Sequence, residues 1–188
     1  MKSVLISIQP KWCELIASGK KTVEVRKTRP KLDVPFKVYI YETKAYDTLF
    51  GNGKPKKLCV GGGKVIGEFV CNHITRIEVL KSGLFTGGNP NGHCVSVVES
   101  SMLSAVEIKD YANNKANVYG WHISDLVIYD KPKELSHFLQ YCEYDYDIDK
   151  CIGCKKTSYN DLGQECCDRR ITRPPQSWCY VEGGGSDA

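Results

Sequence analysis

Gly19-Lys20-Lys21-Thr22-Val23-Glu24-Val25-Arg26 is the stretch whose reading decides the rest of this chain. Upstream, Pro10 opens a helix in which Trp12, Leu15 and Ile16 recur at helical spacing, and Gly19 is its stop signal. Downstream, Thr22–Arg26 reads as a strand. Side chains alternate between the two faces of a strand, so Thr22, Glu24 and Arg26 share one face while Val23 and Val25 are buried behind it. Lys21 stands at the mouth of that face, just after the turn. A Lys, a carboxylate and an Arg at this spacing can hold a polar ligand, position a phosphate or move a proton.

The surroundings are basic. Between Lys20 and Lys37 there are seven cationic residues (Lys20, Lys21, Arg26, Lys27, Arg29, Lys31 and Lys37) against Glu24 and Asp33. A charge run alone is most simply a solvated face. Beside a pocket, it favours a polyanionic ligand. The net charge of +4 is too small to carry that argument by itself.

Further out, the chain reads as many short strands with few helices. Val4–Ile8 is a strand, and Phe36–Tyr41 alternates Phe36, Val38 and Ile40 with Lys37, Tyr39 and Tyr41, as a half-buried strand does. The Gly- and Lys-rich residues 51–63 read as an exposed loop; Gly61-Gly62-Gly63 lacks the spacing of a phosphate-binding loop. Lys64–Cys71, Arg76–Val79 and Val118–Tyr129 are further strands, and residues 83–92 form a loop. Ser104 with Glu107 matches a capping box and starts a helix that runs toward Ala112. The expected fold class is α+β, mainly β: a small curved sheet or barrel with short flanking helices.

From about residue 134 the character changes. Tyr141–Asp149 is acidic and aromatic, and six of the ten cysteines follow Tyr141. The expected division is a barrel-like domain over 1–133, a Cys-rich appendage over 134–182 and a flexible end over 183–188. Cys151 and Cys154 form a C-x-x-C knuckle, with Cys166, Cys167 and Cys179 at spacings compatible with completing a tetrahedral thiolate site. A tail this poor in hydrophobic residues needs a staple, which structural zinc supplies; free thiols and disulfides are the alternatives, with Cys142 a spare ligand. No organic cofactor is expected. Cys13, Cys59, Cys71 and Cys94 are isolated and read as small apolar residues. The histidines are scattered, with no metalloprotease spacing. The apolar run at the N-terminus is too short for a signal peptide and nothing reaches transmembrane length, so the expected location is cytoplasmic, with reduced thiols.

Gly19, Lys21, Glu24 and Arg26 match the G-x-K-x-x-E-x-R signature, and the chain thereby resembles the ASCH domains, relatives of the PUA fold. Supporting features are the Trp12–Ile16 helix, the Gly67-Glu68 pair on its strand, and Tyr119-Gly120-Trp121-His122-Ile123 near the domain end. The resemblance covers roughly residues 1–133, and the ending Arg173–Tyr180 is similar to that of bacterial and bacteriophage members with a Cys-containing tail. It implies a small β-barrel whose cleft is lined by the signature residues, and RNA binding or processing. Some small members are amidohydrolases acting on acylated cytidine, and some relatives have been assigned ribonuclease activity. In the amidohydrolases a Lys, a Thr and a Glu form the catalytic group. Lys21 matches the Lys, but Glu24 stands where those members carry the Thr.

Three roles follow for the candidate residues. In the leading reading the protein binds RNA or a modified nucleotide through Lys20, Lys21, Glu24, Arg26, Lys27 and Arg29, with Tyr41 (and Tyr39) as stacking surfaces. Trp121 is the better candidate for core packing. In the second reading the same cleft is hydrolytic, with Lys21, Glu24 and Glu68 catalytic. Lys21 as a base must lose its proton near neutral pH, which burial or the neighbouring charges of Lys20 and Arg26 favour and Glu24 opposes. Glu68 acts there as a general acid or base desolvated by Ile66 and Val70, or else simply faces outward. In the third reading the Cys-rich tail is a protein-interaction module whose partner the sequence does not identify.

Overall fold

The computed structural model describes residues 1–49, 56–81, 83–86, 95–145, 150–152, 158–159, 165–166 and 169–183. β1 (Lys2–Ile8) leads into α1 (Pro10–Ala17) and β2 (Val23–Arg26), and β3 (Phe36–Glu42) follows. β4 (Ala45–Leu49) and β5 (Lys56–Val60) pair as an antiparallel hairpin, β5 falling within the residues 51–63 that read as loop. β6 (Val65–Leu80) is one long strand, and β7 (Gly83–Thr86) pairs with its end. Helices α2 (Val95–Ser101) and α3 (Ala105–Ala112) precede β8 (Asn117–Lys133). A short 3-10 turn spans Leu135–His137. Beyond it β9 (Glu143–Asp145) pairs β10 (Lys150–Ile152), β11 (Ser158–Tyr159) pairs β12 (Glu165–Cys166), and β13 (Trp178–Glu182) is the last strand among the described residues.

The main sheet runs β13-β1-β3-β6-β8-β2, with β7 off the path on β6. Only β1 and β3 are parallel; the other pairings are antiparallel. The expected barrel is therefore corrected. Among the described residues β2 and β13 are the two ends of an open path, and no ladder joins β2 to β1 or β13. Two 16- and 17-residue strands, β6 and β8, form the backbone of this curved sheet. Their pairing slips register at three places, including Cys71/Ile74, which explains why the sequence reads as two separate strands there. A bulge increases local twist and bends its strand.

Both faces of the sheet are covered. Val4, Ile6, Ile8, Val38, Ile40, Phe69 and Trp121 form one core with Cys13 and Ile16 of α1. Leu5, Tyr39, Tyr41 and Val65 form another on the opposite face, beneath Leu135, Phe138, Ile171 and Val181. This double burial accounts for the continuous apolar run of β1. The third core joins Val23 and Val25 to Val97 of α2 and Ile108 of α3. Gly120 permits that approach, since a Cβ there would stand 2.9 Å from the Val23 side chain. The capping box at Ser104 is complete, with both the Ser104 and the Glu107 side chains bonded to each other's backbone N–H. Across residue 134, the described C-terminal residues continue into the same sheet: β13 pairs along β1 from Lys2↔Glu182 to Ile6↔Trp178.

Candidate functional site

Gly19 adopts φ +72°, which a residue with a Cβ rarely tolerates, and so reverses the chain after α1. The turn sends the Lys21 amide back to the Leu15 carbonyl (2.9 Å), while the Thr22 amide reaches the Ser100 carbonyl (2.9 Å). Lys21 is thereby wedged between α1 and the end of α2. Its residue is only 2% exposed, and its ammonium donates to the Ser101 carbonyl at 2.7 Å. That carbonyl belongs to the C-terminal end of a helix, where backbone partial charge favours a cation. The Trp12 ring centroid lies 5.1 Å from Nζ.

Glu24 holds the centre. One carboxylate oxygen meets Lys21 Nζ at 3.2 Å and the other meets an Arg26 terminal nitrogen at 3.0 Å. Glu24 and Arg26 are each 7% exposed, so two cations share one buried carboxylate. The same Arg26 nitrogen donates to the Ser7 carbonyl at 2.6 Å, and Arg26 Nε is buried without a hydrogen-bond partner. Burial lowers the Lys21 pKa, Glu24 opposes that shift, and Arg26 adds to it. Tyr111 of α3 lines the same cleft as Arg26; burial raises its phenol pKa, and the neighbouring guanidinium works against that rise.

The Arg26–Ser7 bond spans the place where the sheet fails to close, because Ser7 is on β1 and Arg26 on β2. Beside this seam opens a cleft of about 950 Å³, floored by Lys21, Glu24 and Arg26 and lined also by Trp12, Tyr111 and the segment 174–177. A shallower groove of about 460 Å³ continues from it, sharing Lys27, Thr28 and Lys115 and adding Arg29, Asn117 and Tyr119. Lys27 Nζ lies 5.0 Å from the Tyr111 ring centroid at the junction.

The predicted residues divide accordingly. Lys21, Glu24 and Arg26 come together, Lys27 stands on the rim, and Arg29 lines the groove. Lys20 and Thr22 are exposed and line neither cavity. Lys37 is committed elsewhere, to Glu68 at 2.6 Å. Glu68 lies outside the cleft lining, paired across strands with Tyr39, and also accepts from the Tyr129 hydroxyl at 2.6 Å. Burial pushes its pKa up, but the bonds from Lys37 and Tyr129 outweigh burial and hold it below the usual glutamate value. Tyr41 is buried to 6% exposure, packed in the second core with the C-terminal residues. Trp121 is fully buried, in edge contact with Phe36.

Among the expected metal ligands, Cys154 and Cys167 lie outside the described residues, as do the side chains of Cys151 and Cys166. Cys179 is on β13, opposite Leu5 and packed against the second core, and burial pushes its thiol up to about 11, which opposes thiolate ligation. No group of three possible metal ligands occurs among the described residues. Cys13 and Cys71 are buried as expected, whereas Cys59 is exposed. Sequence reasoning missed Tyr111, Lys115 and segment 174–177. Nothing in their local pattern points to the cleft, since their separation from Arg26 along the chain is 85 residues or more.

A mostly-β sheet flanked by short helices, with Lys21, Glu24 and Arg26 of one helix–strand junction flooring a cleft, is the arrangement that the resemblance to the ASCH domains implies. The ASCH domain family model matches residues 6–126, well over half of the chain, and the protein belongs to the ASCH domain family. Among solved structures it is similar to the ASCH protein of Zymomonas mobilis, at 21% identity and a TM-score of 0.49 over 71% of this chain and 73% of that one. A Ser-to-Ala variant of that protein gives 22% identity and a TM-score of 0.48 over 71% and 74%. A Tyr-to-Phe variant gives 20% and 0.46 over 72% and 77%. No curated protein matches.

Proposed function

We propose that the protein binds RNA, or a nucleotide within it, in the cleft floored by Lys21, Glu24 and Arg26. One observation carries this reading: two buried cations share a single carboxylate beneath an open cleft, leaving an excess positive charge and an unpartnered Arg26 Nε. An electron-rich base edge or a phosphate in the cleft offsets that excess charge. Lys27, Arg29 and Lys115 along the adjoining groove would take the backbone phosphates, a task that needs no pKa change. ASCH membership supports the assignment, the family being linked to RNA binding.

The test is fluorescence anisotropy with a labelled single-stranded RNA at several salt concentrations. Affinity is expected to fall steeply as salt rises, and Lys21→Ala to weaken binding by about tenfold or more. Equal retention of RNA by wild type and Lys21→Ala at moderate salt refutes the assignment.

A second reading, hydrolysis of a modified nucleoside or of RNA in the same cleft, is favoured by the burial that lowers the Lys21 pKa. It predicts turnover of acylated cytidine or RNA that Lys21→Ala abolishes. Purified protein with no turnover of either substrate removes it.

A further inference from the structure

The cleft has two walls, and only one belongs to the matched domain. Residues 174–177 lie nearly fifty positions beyond the end of the ASCH match at residue 126, yet they line the same cleft as the triad. Two bonds hold them there, and a third fixes the residue that follows. The Ser7 hydroxyl donates to the Pro175 carbonyl at 2.6 Å, and the Ser7 amide donates to the Ser177 carbonyl at 2.9 Å. Just beyond, the Trp178 indole N–H donates to the Thr28 hydroxyl at 3.0 Å, tying β13 to the far side of the seam.

We infer that this wall makes the cleft selective for a single unpaired nucleotide, with Gln176 as the group that reads the base. The inference rests on the RNA-binding reading above and deepens it. Pro174 and Pro175 have no backbone N–H and fixed φ, so the wall offers two rigid apolar rings and loses little entropy when a ligand packs on it. The carbonyls of Pro175 and Ser177 are already engaged by Ser7. The Gln176 side chain is exposed, lines the cleft and has no hydrogen-bond partner among the described residues. Its amide supplies donors and an acceptor, the combination that distinguishes one base edge from another. The floor supplies donors from Lys21 and Arg26 and an acceptor from Glu24. These floor residues are at most 7% exposed, so a base must leave its stack to reach them, which favours single strands over duplex. A cleft of about 950 Å³ is of the size that encloses one small ligand.

The experiment uses full-length protein and labelled RNA ten-mers: four single strands differing at one central base, and one of them annealed into a duplex. Wild type is expected to bind the single strand about tenfold tighter than the duplex. Gln176→Ala is expected to compress the spread among the four strands by about fivefold, leaving the salt slope unchanged. Pro174→Gly/Pro175→Gly is expected to weaken all four strands together. Circular dichroism confirms that each variant is folded. If wild type binds RNA and Lys21→Ala weakens it, but Gln176→Ala leaves the spread unchanged or the duplex binds equally well, the wall inference falls alone. If wild type binds none of the ten-mers, the RNA-binding reading falls and takes the wall inference with it.

Discussion

Glu24→Gln is the most informative single perturbation of this protein. The carboxylate lies 3.2 Å from the Lys21 ammonium and 3.0 Å from the Arg26 guanidinium. At an effective dielectric constant of ~20, each such pair is worth about 5 kcal/mol of Coulomb attraction, much of it offset by the cost of taking the charges out of water. Gln keeps the shape but removes the anion and leaves two buried cations facing one another. Breaking a buried ion pair in this way costs about 3–5 kcal/mol. For a protein of this size that corresponds to a fall in Tm of roughly 6–20 °C. Lys21→Met should cost less, because Glu24 keeps Arg26 as a counter-charge, although one Glu24 oxygen and the Ser101 carbonyl both lose the Lys21 ammonium. Adding Lys21→Met to Glu24→Gln removes one of the two uncompensated cations, so the double variant should be no less stable than Glu24→Gln alone. Urea unfolding of wild type, both single variants and the double variant measures all three quantities. A Glu24→Gln loss below about 1 kcal/mol, or strict additivity in the cycle, refutes a buried triad held by its central carboxylate.

Three further outcomes follow from the geometry. The folded-state pKa of Lys21 lies below its unfolded value of 10.5, so between the two values the unfolded chain binds more protons and stability rises with pH. The penalty is complete below the folded pKa and relieved by pH 10.5; the stability of wild type relative to Lys21→Met should therefore climb over that alkaline window, and a flat difference contradicts the burial of a charged Lys21. In native protein a thiol reagent should label exposed Cys59 quickly and buried Cys13 and Cys71 only on unfolding, as peptide mapping would reveal; equal rates contradict the packing of those two side chains. We also propose structural zinc for the knuckle Cys151 and Cys154 with Cys166 and Cys167. Elemental analysis should find about one zinc per chain, retained in Cys179→Ala because Cys179 packs in the sheet; a content near zero rejects the metal.

Much of the fold could be read locally. α1 and α3 follow from Pro10, Gly19 and the Ser104–Glu107 box, signals confined to a few neighbouring residues. β1, β2 and β3 follow from apolar runs and alternation. The β4–β5 hairpin did not, because its strands pair through backbone bonds across a Gly- and Lys-rich stretch with no apolar alternation. The surroundings of Glu68 and Tyr41 are illegible for a related reason. Strand alternation shows which residues share a face but not what covers that face, and here Lys37, Tyr129 and the C-terminal residues cover it.

The sequence by itself determined the triad. Gly19 turns the chain, and a period of two puts Glu24 and Arg26 on one side of β2 whatever the rest of the molecule does. Tertiary structure alone decided that these charges are buried, that the sheet stops short of closing, and that Arg26 bridges the seam to Ser7. It also decided that residues 174–177 supply the other wall. Each of those facts depends on contacts between residues 19 to about 170 positions apart, and such distant pairings are fixed by which surfaces fit together and are absent from any local pattern.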